Sequence, residues 1–195
     1  MNFRTFTNIV LFSVLSVSAY AEGDAVDETK DAEADGYVDI SVVRGSVRLK
    51  GWDQSSIRVV GTLDEETKAF IFEVDGGENL SLESISGDIE VTTKLLSAVG
   101  GHSVSGDISV SGDPGSGAII EFDSVSGDIR LMLGGDINAR FDLETGSGSI
   151  RNRISDDESR SSKYLQDETL RFTIGDGEGQ VTLSTHSGDI ALGRR

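Results

Sequence analysis

From Tyr37 onward the chain alternates apolar and polar residues in short runs separated by glycine-rich breaks. A period of two sends successive side chains to opposite faces of an extended backbone, so each run predicts a β-strand with one buried face. The runs flank a recurring centre: Ser-Ile-Ser-Gly-Asp-Ile at 84–89, Ser-Val-Ser-Gly-Asp-Ile at 103–108 and 124–129, and Thr-His-Ser-Gly-Asp-Ile at 185–190. Degenerate copies are Val-Arg-Gly-Ser-Val at 43–47 and Gly-Ser-Gly-Ser-Ile at 146–150. The central glycines Gly45, Gly87, Gly106, Gly127, Gly148 and Gly188 lie 42, 19, 21, 21 and 40 residues apart. That spacing reduces to a unit of about 20 residues, with units skipped or disguised near residue 66 and in 155–168.

Aligning the copies on the glycine produces apolar columns. Two residues after it stand Val47, Ile89, Ile108, Ile129, Ile150 and Ile190; four after it stand Leu49, Val91, Val110, Leu131, Asn152 and Leu192. Seven before it stand Val38, Leu80, Val99, Ile120, Phe141 and Val181, and five before it Ile40, Leu82, Gly101, Phe122, Leu143 and Leu183. Each unit therefore predicts two short strands with their apolar faces inward. The alternation changes phase between the fifth and second residues before the glycine. This places Val43, Ile85, Val104, Val125 and His186 inward together with the glycine. A glycine there permits a tight bend or a close backbone approach, which makes the six glycines predicted structural corners.

Two strands and a corner in about 20 residues predict one coil of a single-stranded parallel β-helix or β-solenoid, in which equivalent residues stack from coil to coil. A coil cannot bury its own apolar face, but its neighbours can, at about 1.5 to 3 kcal/mol per buried Val, Ile, Leu or Phe. An antiparallel β-sandwich would also show short alternating strands, without a reason for like residues to recur in register. Strand-formers, serines and 24 glycines leave no segment that predicts a helix.

The flanks differ from the repeats. Residues 1–21 carry Arg4, an apolar stretch from Ile9 to about Val17 and a small-x-small ending at Ala19–Ala21, the pattern of a cleaved signal peptide. The apolar run is too short to span a bilayer, and no later segment predicts an integral membrane span. Residues 22–36 hold seven acids and no large apolar residue, which predicts a flexible acidic leader. The body is expected at 37–195, with a polar insertion at 155–168 that Tyr164 and Leu165 could pin. The chain has no cysteine, which excludes disulfides and thiolate chemistry. A formal charge of −17, one unit more negative once Arg4 is removed, repels phosphate backbones and argues against nucleic-acid binding.

The Ser-Val-Ser-Gly-Asp-Ile units, the opening Val-Arg-Gly-Ser-Val-Arg-Leu-Lys-Gly-Trp-Asp at 43–53 and the closing segment at 174–190 resemble the "putative adhesin" domain family of bacterial envelope proteins, related to autotransporter adhesin heads. The resemblance spans roughly residues 37–193. It implies a right-handed β-helix, a bacterial source and an exported protein of the periplasm or cell surface. It supplies no catalytic residues.

Candidate chemistry is sparse. Asp88, Asp107, Asp128 and Asp189 follow the glycines and should form an outward column. At about 4.8 Å spacing two such carboxylates repel by roughly 1 kcal/mol in water, tolerable where their oxygens bond to backbone N–H groups at the corner. A ladder of oxygen ligands also makes them candidate metal ligands, with calcium the fitting ion, although Ser46 and Ser149 interrupt the column. The acidic segments at 75–79, 112–117 and 175–179 read as turns between strands. His102 and His186 have no evident Ser or Asp partner, and Trp52 is expected to cover the first coil or a strand end. No cofactor is implied.

The expectation is a non-catalytic, adhesin-like binding or scaffolding module whose partner is an envelope protein or a glycan. A carbohydrate-active enzyme is the alternative by fold analogy, and a cation-responsive accessory protein by charge. Residues 37–63 are expected to cap one end of the solenoid. The other end, finishing in Ala-Leu-Gly-Arg-Arg, would stay open to end-to-end self-association.

Overall fold

The computed structural model describes residues 25–31, 36–44, 47–50, 56–62, 70–76, 79–161 and 167–195. The expected signal peptide, Gly45, Ser46, Trp52, Tyr164 and Leu165 lie outside them, as does the side chain of Val43. The described residues are all-β, with fifteen strands in one open sheet. In the first part of the chain these are β1 (Ala25–Asp31), β2 (Gly36–Arg44), β3 (Val47–Lys50), β4 (Ser56–Thr62), β5 (Phe70–Gly76) and β6 (Asn79–Ser86). The long strands β7 (Ile89–Ser105) and β8 (Ile108–Ser126) follow, then β9 (Ile129–Leu133), β10 (Ala139–Thr145) and β11 (Ile150–Asn152). The last are β12 (Arg160–Ser161), β13 (Glu168–Ile174), β14 (Gly179–Ser187) and β15 (Ile190–Arg194).

The copies pair in parallel and in the register of the glycine alignment. Before the corner, Ile40 lies opposite Leu82, Leu82 opposite Gly101, Gly101 opposite Phe122, Phe122 opposite Leu183 and Leu183 opposite Leu143. After it, Val47, Ile89, Ile108, Ile129, Ile190 and Ile150 line up in the same way. β7 and β8 each run from the second ladder of one copy into the first ladder of the next, with register shifts near Leu95–Ala98. The segment 112–117, expected as a turn between strands, is an irregular stretch inside β8.

The predicted columns form the core. Ile40, Leu82, Ile89, Ile108, Ile120, Phe122, Ile129, Leu143, Leu183 and Ile190 are all at most 1 % exposed. Gly101 completes its column by size: a Cβ there would lie 2.8 Å from Cε1 of Phe122, whose ring occupies the space.

The order of the copies in space departs from their order in the chain. They stack as Gly87, Gly106, Gly127, Gly188, Gly148, so the C-terminal strands β14 and β15 lie between β8–β9 on one side and β10–β11 on the other. From β11 the chain turns back through β12 and β13, which pair antiparallel with each other, and β13 covers the outer edge of β10. Phe172 of β13 stacks on Phe141 of β10 with ring centroids 4.5 Å apart. The turn at 175–178 then carries the chain across the start of β10, where Gly177 N–H donates to Asn138 Oδ1 at 2.8 Å and Gly179 N–H to Asn138 O at 2.9 Å. The expectation of an open end at Ala-Leu-Gly-Arg-Arg is thereby corrected: β15 is flanked on both edges, by β9 and β11.

The opposite end is finished in a similar way. β5 covers β2, and β4 covers β3, both antiparallel, with β1 beyond β4. The acidic stretch 22–36, expected to be a flexible leader throughout, therefore contains strand β1. Backbone pairing to β4 needs no apolar side chain, which is why composition alone missed it.

The glycine corners are enforced twice. Gly87, Gly106, Gly127 and Gly188 have φ between 134 and 156°, a region that side chains disfavour. A Cβ on Gly106, Gly127 or Gly188 would lie 2.2 to 2.3 Å from the carbonyl oxygen of the glycine stacked beside it, and one on Gly148 would lie 2.0 Å away. Gly127→Ala is expected to lower stability by at least about 3 kcal/mol in urea unfolding, since strain and a backbone clash add. Gly117→Ala, at φ 67° with nothing within 4 Å, should cost only about 1 kcal/mol. Equal effects of the two substitutions would refute the stacking origin of the corner.

Candidate functional site

The Ser-Gly-Asp corner brings like atoms of neighbouring copies within bonding reach. Oδ1 of Asp88 accepts the backbone N–H of Asp107 at 2.9 Å, and Oδ1 of Asp107 that of Asp128 at 2.9 Å. Asp128 then accepts from Asp189, and Asp189 from Ser149, each at 2.8 Å. These bonds form a one-way ladder in which every carboxylate is held by the next copy's backbone. At its end Ser149 Oγ also donates to Asp189 Oδ1 at 3.0 Å, and Arg151 Nη2 lies 2.9 Å from Oδ2. The Ser149 N–H first, then its hydroxyl and the Arg151 charge, hold the Asp189 carboxyl below the ordinary value of 3.8.

The four aspartates proposed as metal ligands are thus brought together as a hydrogen-bonded column. Among the described residues no group of three or more His, Cys, Asp or Glu side chains gathers to hold a metal ion.

Inside the corner, three residues before each glycine, stand Ser84, Ser103, Ser124, Thr185 and Thr145, all at most 5 % exposed. Ser84 Oγ donates to Gly87 O at 3.0 Å, Thr185 Oγ1 to Gly127 O at 3.1 Å and Thr145 Oγ1 to Gly188 O at 2.8 Å. This hydroxyl column was not anticipated. Its signal was present as Ser or Thr at one position in five of the six copies, with Val42 in the first, but a period-2 reading assigned the position to the outer face.

The consequence is a correction to the neighbouring column. Ile85, Val104 and Val125 are 54, 38 and 44 % exposed, and His186 in the same row is exposed as well. The strand before the corner keeps its phase up to the buried hydroxyl. The phase change falls at the glycine itself, whose positive φ turns the chain there. On one side of this apolar row lie the exposed serines Ser86, Ser105, Ser126 and Ser187 and then the aspartate ladder. On the other side lies a row in register formed by Glu83, His102, Asp123, Ser184 and Glu144. His102 does have an acidic partner, its Nδ1 lying 2.5 Å from Asp123 Oδ1 on the adjacent strand.

A groove of about 520 Å³ opens beside this face, lined by Arg140, Asp142, Arg171, Thr173, Glu178 and Gln180 among others. Its cation Arg171 is committed to Asp142 by two hydrogen bonds of 2.9 and 3.0 Å. The acidic turn at 175–179 is organised by Asn138, and Glu178 accepts from Ser116 Oγ at 3.2 Å.

Comparison with known proteins adds family and fold. A family model described as Toastrack DUF4097 matches residues 73–193. The chain is similar to a crystal structure described as a "putative cell adhesion protein" from Clostridium sporogenes ATCC 15579, with a TM-score of 0.50 at 11% identity. That likeness covers 88% of this chain and 100% of the other, and at this identity it shows the fold alone. No curated protein matches the sequence.

Two outcomes test the ladder. Asp107→Asn keeps an oxygen for the Asp128 N–H and removes a charge between Asp88 and Asp128, so it should unfold in urea within about 0.5 kcal/mol of the parent, whereas Asp107→Ala should lose about 1 kcal/mol. For Asp189 the folded value lies below the unfolded one. Its contribution is therefore complete above the ordinary carboxylate range and is lost as pH falls through the depressed folded value. The destabilisation by Asp189→Ala should be largest near neutral pH and should shrink as pH falls below the ordinary carboxylate value of 3.8; a gap independent of pH would refute the assignment.

Proposed function

The chain belongs to the Toastrack DUF4097 family, and on that premise we propose that it is an exported bacterial envelope module that binds or scaffolds without catalysis. The observation that carries this reading is the division of labour at the repeated corner. The four corner carboxylates and the hydroxyls of Ser84, Thr145 and Thr185 are bonded to the backbone of the stack, while a ruled outer face is left for contacts. Repetition of one shallow surface suits recognition of an extended partner better than it suits a cleft that must gather acid and base around one bond. The adhesion description of the structural neighbour supports the same reading, and kinship with autotransporter adhesin heads is part of the proposal. We read the parallel ladders as a single-stranded β-helix. Its hand is right-handed, because parallel crossovers in one sheet almost always are. The signal-like pattern at 1–21 supports export to the periplasm or the cell surface.

A tagged chain expressed with its leader in a bacterial host should fractionate with the periplasm or surface and capture an envelope protein or glycan. Retention of the uncleaved chain in the cytoplasm would overturn export. Incubated with a panel of polysaccharides, the purified chain should bind without releasing reducing ends; sustained release would establish the carbohydrate-active alternative instead.

A further inference from the structure

We infer that the exposed row Ile85–Val104–Val125 is a docking stripe for a basic amphipathic helix, which names a partner chemistry for the binding module proposed above and rests on that reading. Three β-branched side chains on adjacent strands face solvent at 54, 38 and 44 % exposure, in a chain whose other repeated apolar columns are buried. They lie outside the buried core, since Ser84, Ser103 and Ser124 occupy the inner side of the same corners.

Charge selects the occupant. Glu83 and Asp123, with His102 between them and bonded to Asp123, flank the stripe on one side, the aspartate ladder lies on the other, and the whole chain carries −17. A partner must therefore present apolar residues along one line with cations on both sides. A helix with apolar residues at i, i+3 or i+4 and i+7 has that pattern. Its apolar contacts advance by about 4.5 to 6 Å along the axis, close to the roughly 4.8 Å between neighbouring strands, so successive side chains can meet successive copies. A second copy of the chain fits poorly, because two acidic faces would oppose each other.

The test is a titration of the purified full chain with two synthetic peptides of roughly twelve residues, both amphipathic and lysine-flanked, one with Leu on the central stripe and one with Gln there, at about 0.15 M salt. The Leu peptide is expected to bind about tenfold more tightly. The combined variant Ile85→Thr, Val104→Thr and Val125→Thr, which keeps charge and strand propensity, should reduce that preference to within about twofold. Equal binding of the two peptides by the parent would mean unspecific charge attraction and overturn the stripe, as would a preference that survives the triple substitution. Methyl chemical-shift mapping on the unaltered chain reads the same question if the variant is poorly folded: shifts must centre on Ile85, Val104 and Val125, and shifts confined elsewhere overturn the proposal. Parent self-association abolished by the variant would assign the stripe to a second copy and also overturn it. Failure of the peptide leaves the non-catalytic reading standing, because that reading is tested by turnover and partner capture.

Discussion

The contact on which the rest of the structure depends is backbone against backbone at the corner. Gly106 sits on Gly87, Gly127 on Gly106, Gly188 on Gly127 and Gly148 on Gly188, each so close that a single added carbon would overlap a carbonyl oxygen. Such an approach fixes the axial register of every copy. With the register fixed, Ile meets Ile two residues beyond the corner, and the hydrophobic columns close at the spacing of paired strands. A slip by one residue would turn each column to solvent and set the glycine against a side chain. Burial of the columns supplies the stabilising free energy, but the corner decides which residues share it.

The same contact makes the carboxylate ladder possible. A carboxylate can accept the N–H of the next copy only where the two backbones already run side by side. In that position the mutual repulsion of the aspartates is offset by a charge-assisted bond at every step. The ladder has a direction, since each aspartate accepts from the copy beyond it. The copy at the far end is the last of the ladder among the described residues, and there the residue is Ser149 rather than an aspartate. The interruption of the column at Gly148 thus marks a terminus of the stack.

Much of the architecture was legible in the sequence because stacking rewards likeness: the four apolar columns and the glycine corners each recur at one position in the alignment. The corner itself was misread for a physical reason. Period-2 reasoning treats serine as outward and valine as inward, but Ser84 and Thr185 are inside because glycine carbonyls there need donors and the bend leaves room only for a small side chain. Val104 was consequently placed in the core when it faces solvent. β1 was illegible for a different reason: it is joined to the end of the sheet by backbone pairing to β4, a demand that an acidic sequence meets as well as an apolar one, whereas β4 lies within the region 37–63 expected to cap that end.

The outer row of the candidate site follows from that partition. Positions that point inward at a corner answer to the stack, because each touches its equivalents in two neighbours and a change in one strains both. Gly146 shares that constraint, since a Cβ there would lie 2.9 Å from His186 O, but in the other described copies the residue two before the glycine does not. Its side chain leaves the sheet between a serine row and an acidic row, so Ile85, Val104, Val125 and His186 can differ in size and chemistry without disturbing a single corner bond. Three of those four are nevertheless large and apolar, in the only aliphatic row that this acidic sheet repeats towards solvent among the described residues. Stability accounts for them only in part, since β-branched residues gain little over threonine in strand propensity and, at 38 to 54 % exposure, less from burial than the core columns do. A surface whose scaffold needs are met elsewhere, and which still carries an apolar line between acids, has the physical character of a contact face.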